Sequence, residues 1–425
     1  MPETPPPRPA ITGMGVFCAG GYGTASLCET LRQAPAFDPA STDVLLAEIA
    51  DEQRFTAHVG RLADDGTTGG VVLKATRRGR VADRLMLLAA LEAWTSAGLS
   101  ASTAEEAQRI GCVLAANNHF DRELETSFAD RPGHARLVNP RERLACLDPY
   151  ALGLLSRVFG FTGHSATVGS QSACSASAVV HAAGLLRSGL LDHCLVVAPA
   201  FFPSDSFREM LENLGIVSRI EGEAPVRPFD SSHAGTSQAP IAAAIVLSAR
   251  PEHGPGTVTV EGVGSCLHRS TGTEPDLTGE VLAMRGALRD ANLAPSDIGY
   301  VNAHATGTPR GDEVEALAIA EVFSGVARPP LVNGTKAIVG HGFNAAGLVG
   351  IVATCLQLTH GFVHDTPGLV DPIADLAWPG RGGTRAAADV DLAICNTFSF
   401  FGINTSVVLS SRNGCVGQGK GSHTS

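Results

Sequence analysis

Three residues of this 425-residue sequence could carry chemistry by type and setting: Cys174, His304 and His341. Cys174 lies in GSQSACSASAVV, where an extended segment ending at Ala173 passes into a run of small helix formers. A thiol at a helix start feels the positive end of the dipole and nearby unpaired N–H groups, which favour thiolate and nucleophilicity. The plain alternative is a small buried hydrophobe, the usual state of an intracellular Cys. His304 stands in YVNAHATGTPRGDEVEAL, between a strand-like run and a Thr/Gly loop, with Asp312 and Glu313 opening the next helix. His341 follows Lys336 by five residues in TKAIVGHGFNAAG, again at a helix start, where an imidazole is kept neutral. Each His taken alone also fits a structural role. The ten Cys show no CxxC and no Cys/His pair at zinc spacing, so neither a metal site nor a disulfide framework is predicted.

The elements around these residues alternate between β-branched runs (Ala242 to Leu247, Thr257 to Val260, Val407 to Leu409) and Ala/Leu-rich helical stretches (Asp83 to Ala97, Ala176 to Arg187, Val281 to Asn292, Glu313 to Phe323, Ala345 to Leu358). That is α/β layering. The halves echo each other: SASAVVHAAGLLRSG follows Cys174 as NAAGLVGIVATCLQLTHG follows His341. Small residues on most faces of both helices predict burial on all sides. Two such central helices imply a duplicated, five-layered αβαβα fold. The Pro/Gly-rich PEHGPG divides the halves, 10–253 and 254–412, and the polar ends, 1–9 and 413–425, read as disordered tails.

Composition narrows the function classes. A hydrophobic content of 44% with 17% charged residues can bury a large interior. The net charge of −11 disfavours nucleic acid, whose non-specific binding depends on Lys and Arg replacing counterions. The longest apolar runs, such as Ala345 to Leu356, fall short of the roughly 18 residues a membrane helix needs. MPETPPPRP lacks the basic-then-apolar layout of a secretory leader, so a reduced cytoplasm is expected.

Taken together, ITGMGVF at Ile11 to Phe17, the ACSAS segment, RPFD at Arg227 to Asp230, VNAHATGTPRGD, TKAIVGH followed by AAG, and NTFSFFGIN near the end resemble the β-ketoacyl synthases of the thiolase superfamily. The motifs occur in family order over about 400 residues. The resemblance implies a decarboxylative Claisen condensation without a cofactor. Cys174 would take an acyl group from a carrier-protein thioester, and His304 and His341 would support malonyl decarboxylation and its enolate. Lys336 would tune their electrostatics, and the N–H groups of Cys174 and Phe400 would form the oxyanion hole. Implied partners are an acyl carrier protein and a second subunit of the same fold, identical or related. Two other readings share the fold: a non-elongating acyltransferase, and a chain-length-factor-like partner subunit, which characteristically lacks the Cys retained here. A thiolase acting on coenzyme A thioesters fits less well, because HGFNAAG departs from that family's His motif.

Departures from the family pattern sharpen the expectations. The gate that usually reads FGFGGTN carries Ser399, Phe401 and Ile403, which predicts a stiffer loop around Phe400. Gly350 replaces a Glu often found nine residues after the second His. The Gly-rich acyl-pocket stretch becomes Ala115 to Phe120, so Asn118, His119 and Phe120, with Phe401, would shorten or polarise the tunnel, unless they turn outward and cap a strand. A specialised polyketide or fatty acid pathway is therefore favoured. Lys74, Arg77, Arg78 and Arg80, with Arg84, form a basic cluster that reads either as a solvated helix face or as the docking patch for an acidic carrier protein.

Overall fold

The computed structural model describes residues 8–63, 66–77, 79–129, 140–218, 224–250, 257–380 and 390–411. The first half contributes β1 (Ala10–Cys18), β2 (Gly21–Tyr22), β3 (Ile110–Ala115), β4 (Ser165–Val168), β5 (His193–Ala198) and β6 (Ala242–Ser248). The second contributes β7 (Val258–Leu267), β8 (Tyr300–Asn302), β9 (Leu331–Asn333), β10 (Leu392–Phe398) and β11 (Ile403–Ser410). Within the first half the sheet order is β4-β3-β5-β6-β1, and within the second β9-β8-β10-β11-β7, the same path twice. Parallel and antiparallel pairings also correspond: β3 runs parallel to β4 and β5 as β8 does to β9 and β10. Hydrogen bonding joins the halves into one sheet where Ala10 and Ile11 meet Thr259 and Val258.

Side chains alternating along these strands feed different cores, which is how the layers arise. On β5, Val196 packs toward the two central helices, Cys174–Arg187 and Ala346–His360, while Leu195 and Val197 face the outer helix Val81–Ser96. On β10, Cys395 faces the central layer and Ile394 faces the outer layer of Leu277–Ala291 and Pro309–Val322. The result is the expected five-layered αβαβα fold. The central helices touch where Gly347 lies against Ala176, and a Cβ added to Gly347 would come within 2.7 Å of Ala176 N. Outer packing repeats as well. A Cβ on Gly15 of β1 would sit 2.0 Å from Ala89 O, and one on Gly264 of β7 would sit 2.1 Å from Ala283 O.

One stretch, Phe343–His360, is apolar and long enough to cross a membrane, but it is 89% buried as the core of the central layer. Position 78 and the PEHGPG divide fall outside the described residues, as do most residues of both expected tails. Arg8 is described and pairs with Glu261, while Pro9 O accepts from Val260 N–H at 2.8 Å.

Candidate active site

Each central helix begins after a 3-10 turn, Gln171–Ala173 in the first half and Phe343–Ala345 in the second. Both turns open on a residue in the left-handed region, Gln171 at φ 49° and Phe343 at φ 48°. Such conformations persist only where the surrounding structure imposes them. They bring Cys174, His341 and the neighbouring side chains together at the middle of the molecule.

Cys174 is the first residue of its helix and is wholly buried. Its Sγ accepts from Ser170 N–H at 2.9 Å, and its own N–H donates to Gln171 O. Burial pushes the thiol up to about 12, with the Ser170 N–H acting against that rise and the Asp148 carboxylate adding to it. The expectation of a ready thiolate is thus corrected: desolvation outweighs the helix start.

His304 ends the segment after β8, where Glu315 grips the backbone. One carboxylate oxygen accepts from His304 N–H at 2.6 Å and the other from Ala305 N–H at 2.7 Å. Lys336 Nζ donates to His304 O and lies 3.3 Å from His304 Nδ1. An ammonium at Nδ1 leaves the imidazole proton on Nε2. His341 reaches the same tautomer by another route, since Phe343 N–H donates to its Nδ1 at 2.9 Å and its Nε2 lies 3.3 Å from Ser172 Oγ. The two rings stand 5.9 Å apart and nearly perpendicular. Burial first, then the Lys336 charge, holds both imidazoles well below the ordinary histidine range, so both are neutral. The cause is therefore burial and a cation rather than the helix start alone.

Lys336 itself is lowered by burial, with Glu315 opposing; Glu315 is raised by burial. Gly350 leaves no carboxylate where the family often has one, and Glu315 supplies the buried carboxylate beside Lys336. Gly350 O instead accepts from Asn302 Nδ2 at 3.3 Å and Thr354 Oγ1 at 2.7 Å.

A cleft of about 290 Å³ is walled by Ser172, His304, His341, Phe343, Phe398 and Phe400, among others. Cys174 is not part of its wall. Phe400 opens the 3-10 turn Phe400–Gly402, so its N–H has no partner within the turn. His304, His341 and Phe400 thus share the cleft, Lys336 holds His304 from behind, and Cys174 lies two residues beyond the wall residue Ser172.

The pocket and docking residues fall elsewhere. Phe401 is 42% exposed and does not line the cleft. Asn118 is exposed, whereas His119 and Phe120 are buried around Asp148. The Asp148 carboxylate accepts from Asn118 N–H, His119 N–H and His119 Nδ1 at 2.9, 3.2 and 2.6 Å. Arg80 is held internally, paired with Asp83 at 3.0 Å and stacked 3.6 Å over the Phe120 ring. Lys74 and Arg77 are exposed at the end of the helix Gly66–Thr76, and Arg78 lies outside the described residues.

Sequence reasoning missed Glu315 and Ser172. Glu315 had a signal, because Asp312 and Glu315 are three apart on one helix face. Asp312 is no simple helix-start charge: buried, it accepts from Phe229 N–H at 2.8 Å and Gly307 N–H at 3.1 Å, tying RPFD to the His304 loop. Ser172 had no signal beyond its nearness to Cys174.

Residues 8–253 match the family model described as β-ketoacyl synthase, N-terminal domain, and residues 258–369 the model of its C-terminal domain. The chain is 28% identical over 426 residues to the polyketide biosynthesis malonyl-ACP decarboxylase PksF of Bacillus subtilis, covering 97% of this chain and 98% of that protein. It is 27% identical over 421 residues to 3-oxoacyl-[acyl-carrier-protein] synthase 2 of Vibrio harveyi, covering 94% and 98%. Among solved structures, a type II polyketide ketosynthase in complex with its acyl carrier protein superposes with a TM-score of 0.77 at 22% identity, covering 95% of this chain and 99% of that one.

Proposed function

The chain belongs to the β-ketoacyl synthase family, and from that premise we propose that it joins an acyl group held on Cys174 to a malonyl-type carrier-protein thioester with loss of CO2. In the first half-reaction Cys174 Sγ attacks the acyl thioester. The new bond is Cys174 S–acyl, the old carrier S–acyl bond breaks, and the thiol proton passes to the departing carrier thiol. In the second, the malonyl C–CO2 bond breaks and its electron pair forms a thioester enolate. The enolate carbon attacks the acyl group, and Cys174 leaves as thiolate and is reprotonated. The observation that carries this reading is the pair of neutral imidazoles with both Nδ1 atoms occupied, which leaves two Nε2–H donors on one cleft wall. Neutral donors stabilise a developing oxyanion without binding the malonyl carboxylate so tightly that CO2 is retained. Phe400 N–H and, once released from Gln171 O, Cys174 N–H would hold the acyl oxygen. Intact-protein mass spectrometry tests the nucleophile: the wild type should gain one acyl mass from an acyl carrier protein, and Cys174→Ala none.

A second reading has its own observation. Cys174 is fully buried off the cleft wall with its thiol pushed up to about 12, while both His line the cleft. An enzyme with that geometry can decarboxylate malonyl thioesters without condensing them, and the Bacillus relative is named a malonyl-ACP decarboxylase.

The carrier protein would approach over Lys74 and Arg77, and phosphopantetheine would deliver the thioester. The second subunit would pair along β4, which among the described residues ladders with β3 alone. The nine described cysteines are all unpaired, which fits a reducing cytoplasm.

A further inference from the structure

Three buried side-chain oxygens without a hydrogen-bond partner, Glu280 Oε2, Ser399 Oγ and Thr236 Oγ1, belong to residues that line the cleft of His304 and His341. Glu280 and Thr236 are each only 1% exposed. Buried polar groups are nearly always satisfied, because an unpaired one forfeits its water without compensation. Three around one cleft therefore mark the place of an occupant that supplies the missing bonds. Ser399 sits where the family pattern has glycine, so this polarity belongs to this chain.

Glu280 defines the chemistry of that occupant. It is on the first turn of Leu277–Ala291, and burial together with the neighbouring Glu315 and Asp276 carboxylates pushes its carboxyl well above the usual range, which favours the neutral form. A neutral carboxyl donates one hydrogen bond and accepts another, as the hydroxyls of Ser399 and Thr236 also can. The complement is a neutral group with both capacities, a secondary amide or a hydroxyl, and not a second anion.

We propose that Glu280, Ser399 and Thr236 form a hydrogen-bonding subsite for an amide or hydroxyl of the thioester substrate. This rests on the reading that the thioester occupies the cleft. The group has two possible sources, the amide-bearing carrier arm or a hydroxyl on the acyl unit itself.

Non-reactive ketone analogues, with CH2 in place of the thioester sulfur, separate these sources without turnover. One carries an amide in its arm, one an alkyl arm of equal length, and one the alkyl arm with a hydroxyl on the acyl unit. Calorimetric titration of the wild type should show one hydrogen-bonding analogue binding roughly tenfold tighter than the alkyl analogue, and which one gains identifies the source. Glu280→Ala should erase that gain, and Glu280→Gln, which still donates and accepts, should keep most of it. Glu280→Ala should melt at or above the wild-type temperature, since it removes a buried carboxyl with an unpartnered oxygen. Absence of any gain in the wild type, a gain surviving in Glu280→Ala, or a lowered melting temperature with equal loss for all three analogues would overturn the subsite. A failure of condensation would appear separately, as missing 3-oxoacyl product with these binding differences intact.

Discussion

At the residue scale the decisive contest is between burial and local charge. Cys174 occupies the helix position that would favour thiolate, yet desolvation wins and holds its thiol near 12. Its alkylation by iodoacetamide should consequently be slow at pH 7.5 and climb steadily toward alkaline pH, because the thiolate fraction grows tenfold per pH step below the pKa. A rate that levels off near pH 8 would contradict that assignment. Glu315→Gln tests the support of His304 in the same way. Its two oxygens accept from two backbone N–H groups, and an amide can satisfy only one while setting its NH2 against the other. Leaving a buried donor unpaired costs about 1–3 kcal/mol, so decarboxylation should fall roughly 5- to 160-fold with the fold retained by circular dichroism. An unchanged rate would show that Glu315 does not position His304. Cys174 and both His were legible because their residue types announce chemistry. Glu315 and Ser172 were not, since their roles come from distant chain segments meeting them.

At the element scale the turn Phe400–Gly402, expected to act as a gate, carries the most informative departure. Phe401 adopts φ 63° and ψ 20°, a conformation that penalises any residue with a Cβ, so the stiffness expected from its side chain is accompanied by strain. Phe401→Gly should relieve about 1–2 kcal/mol of that strain, which opposes the entropy cost of adding glycine to the unfolded chain. The variant should melt no lower than the wild type and should load long acyl carriers faster relative to short ones. A lower melting temperature with an unchanged long-to-short ratio would remove Phe401 from any gating role. The central helices were legible in advance because small residues on every face admit few environments other than a buried layer. By contrast, Gly66–Thr76, GTTGGVVLKAT, carries three glycines and several β-branched residues. Its helical form comes from packing against Glu52–Leu62 and Pro149–Phe159, which no local pattern reveals.

At the scale of the whole molecule, an acidic chain presents a small basic site. Net charge is −11, yet Lys74 and Arg77 are exposed together, and screening over about 10 Å lets a local patch act against the overall sign. Lys74→Glu with Arg77→Glu should lower turnover of carrier-bound substrate at least tenfold and leave a small thioester mimic within twofold. Rising salt should weaken the wild-type carrier reaction. Equal losses with both substrates would place the damage in the fold. Arg80, assigned to the same cluster by sequence, instead links this surface to Phe120 through its stacked guanidinium, a contact visible only once both segments are in place.

We propose that decarboxylation here is coupled to carbon–carbon bond formation on Cys174. That coupling is tested most directly by quantifying CO2 and carrier-bound products together after mixing the enzyme with an acyl carrier protein and a malonyl carrier protein. Coupled chemistry yields one 3-oxoacyl carrier for each CO2, and Cys174→Ala forms none while still releasing CO2. If the wild type instead releases CO2 with acetyl carrier as the sole product and Cys174 never acylated, the protein is a decarboxylase and the condensation account is wrong.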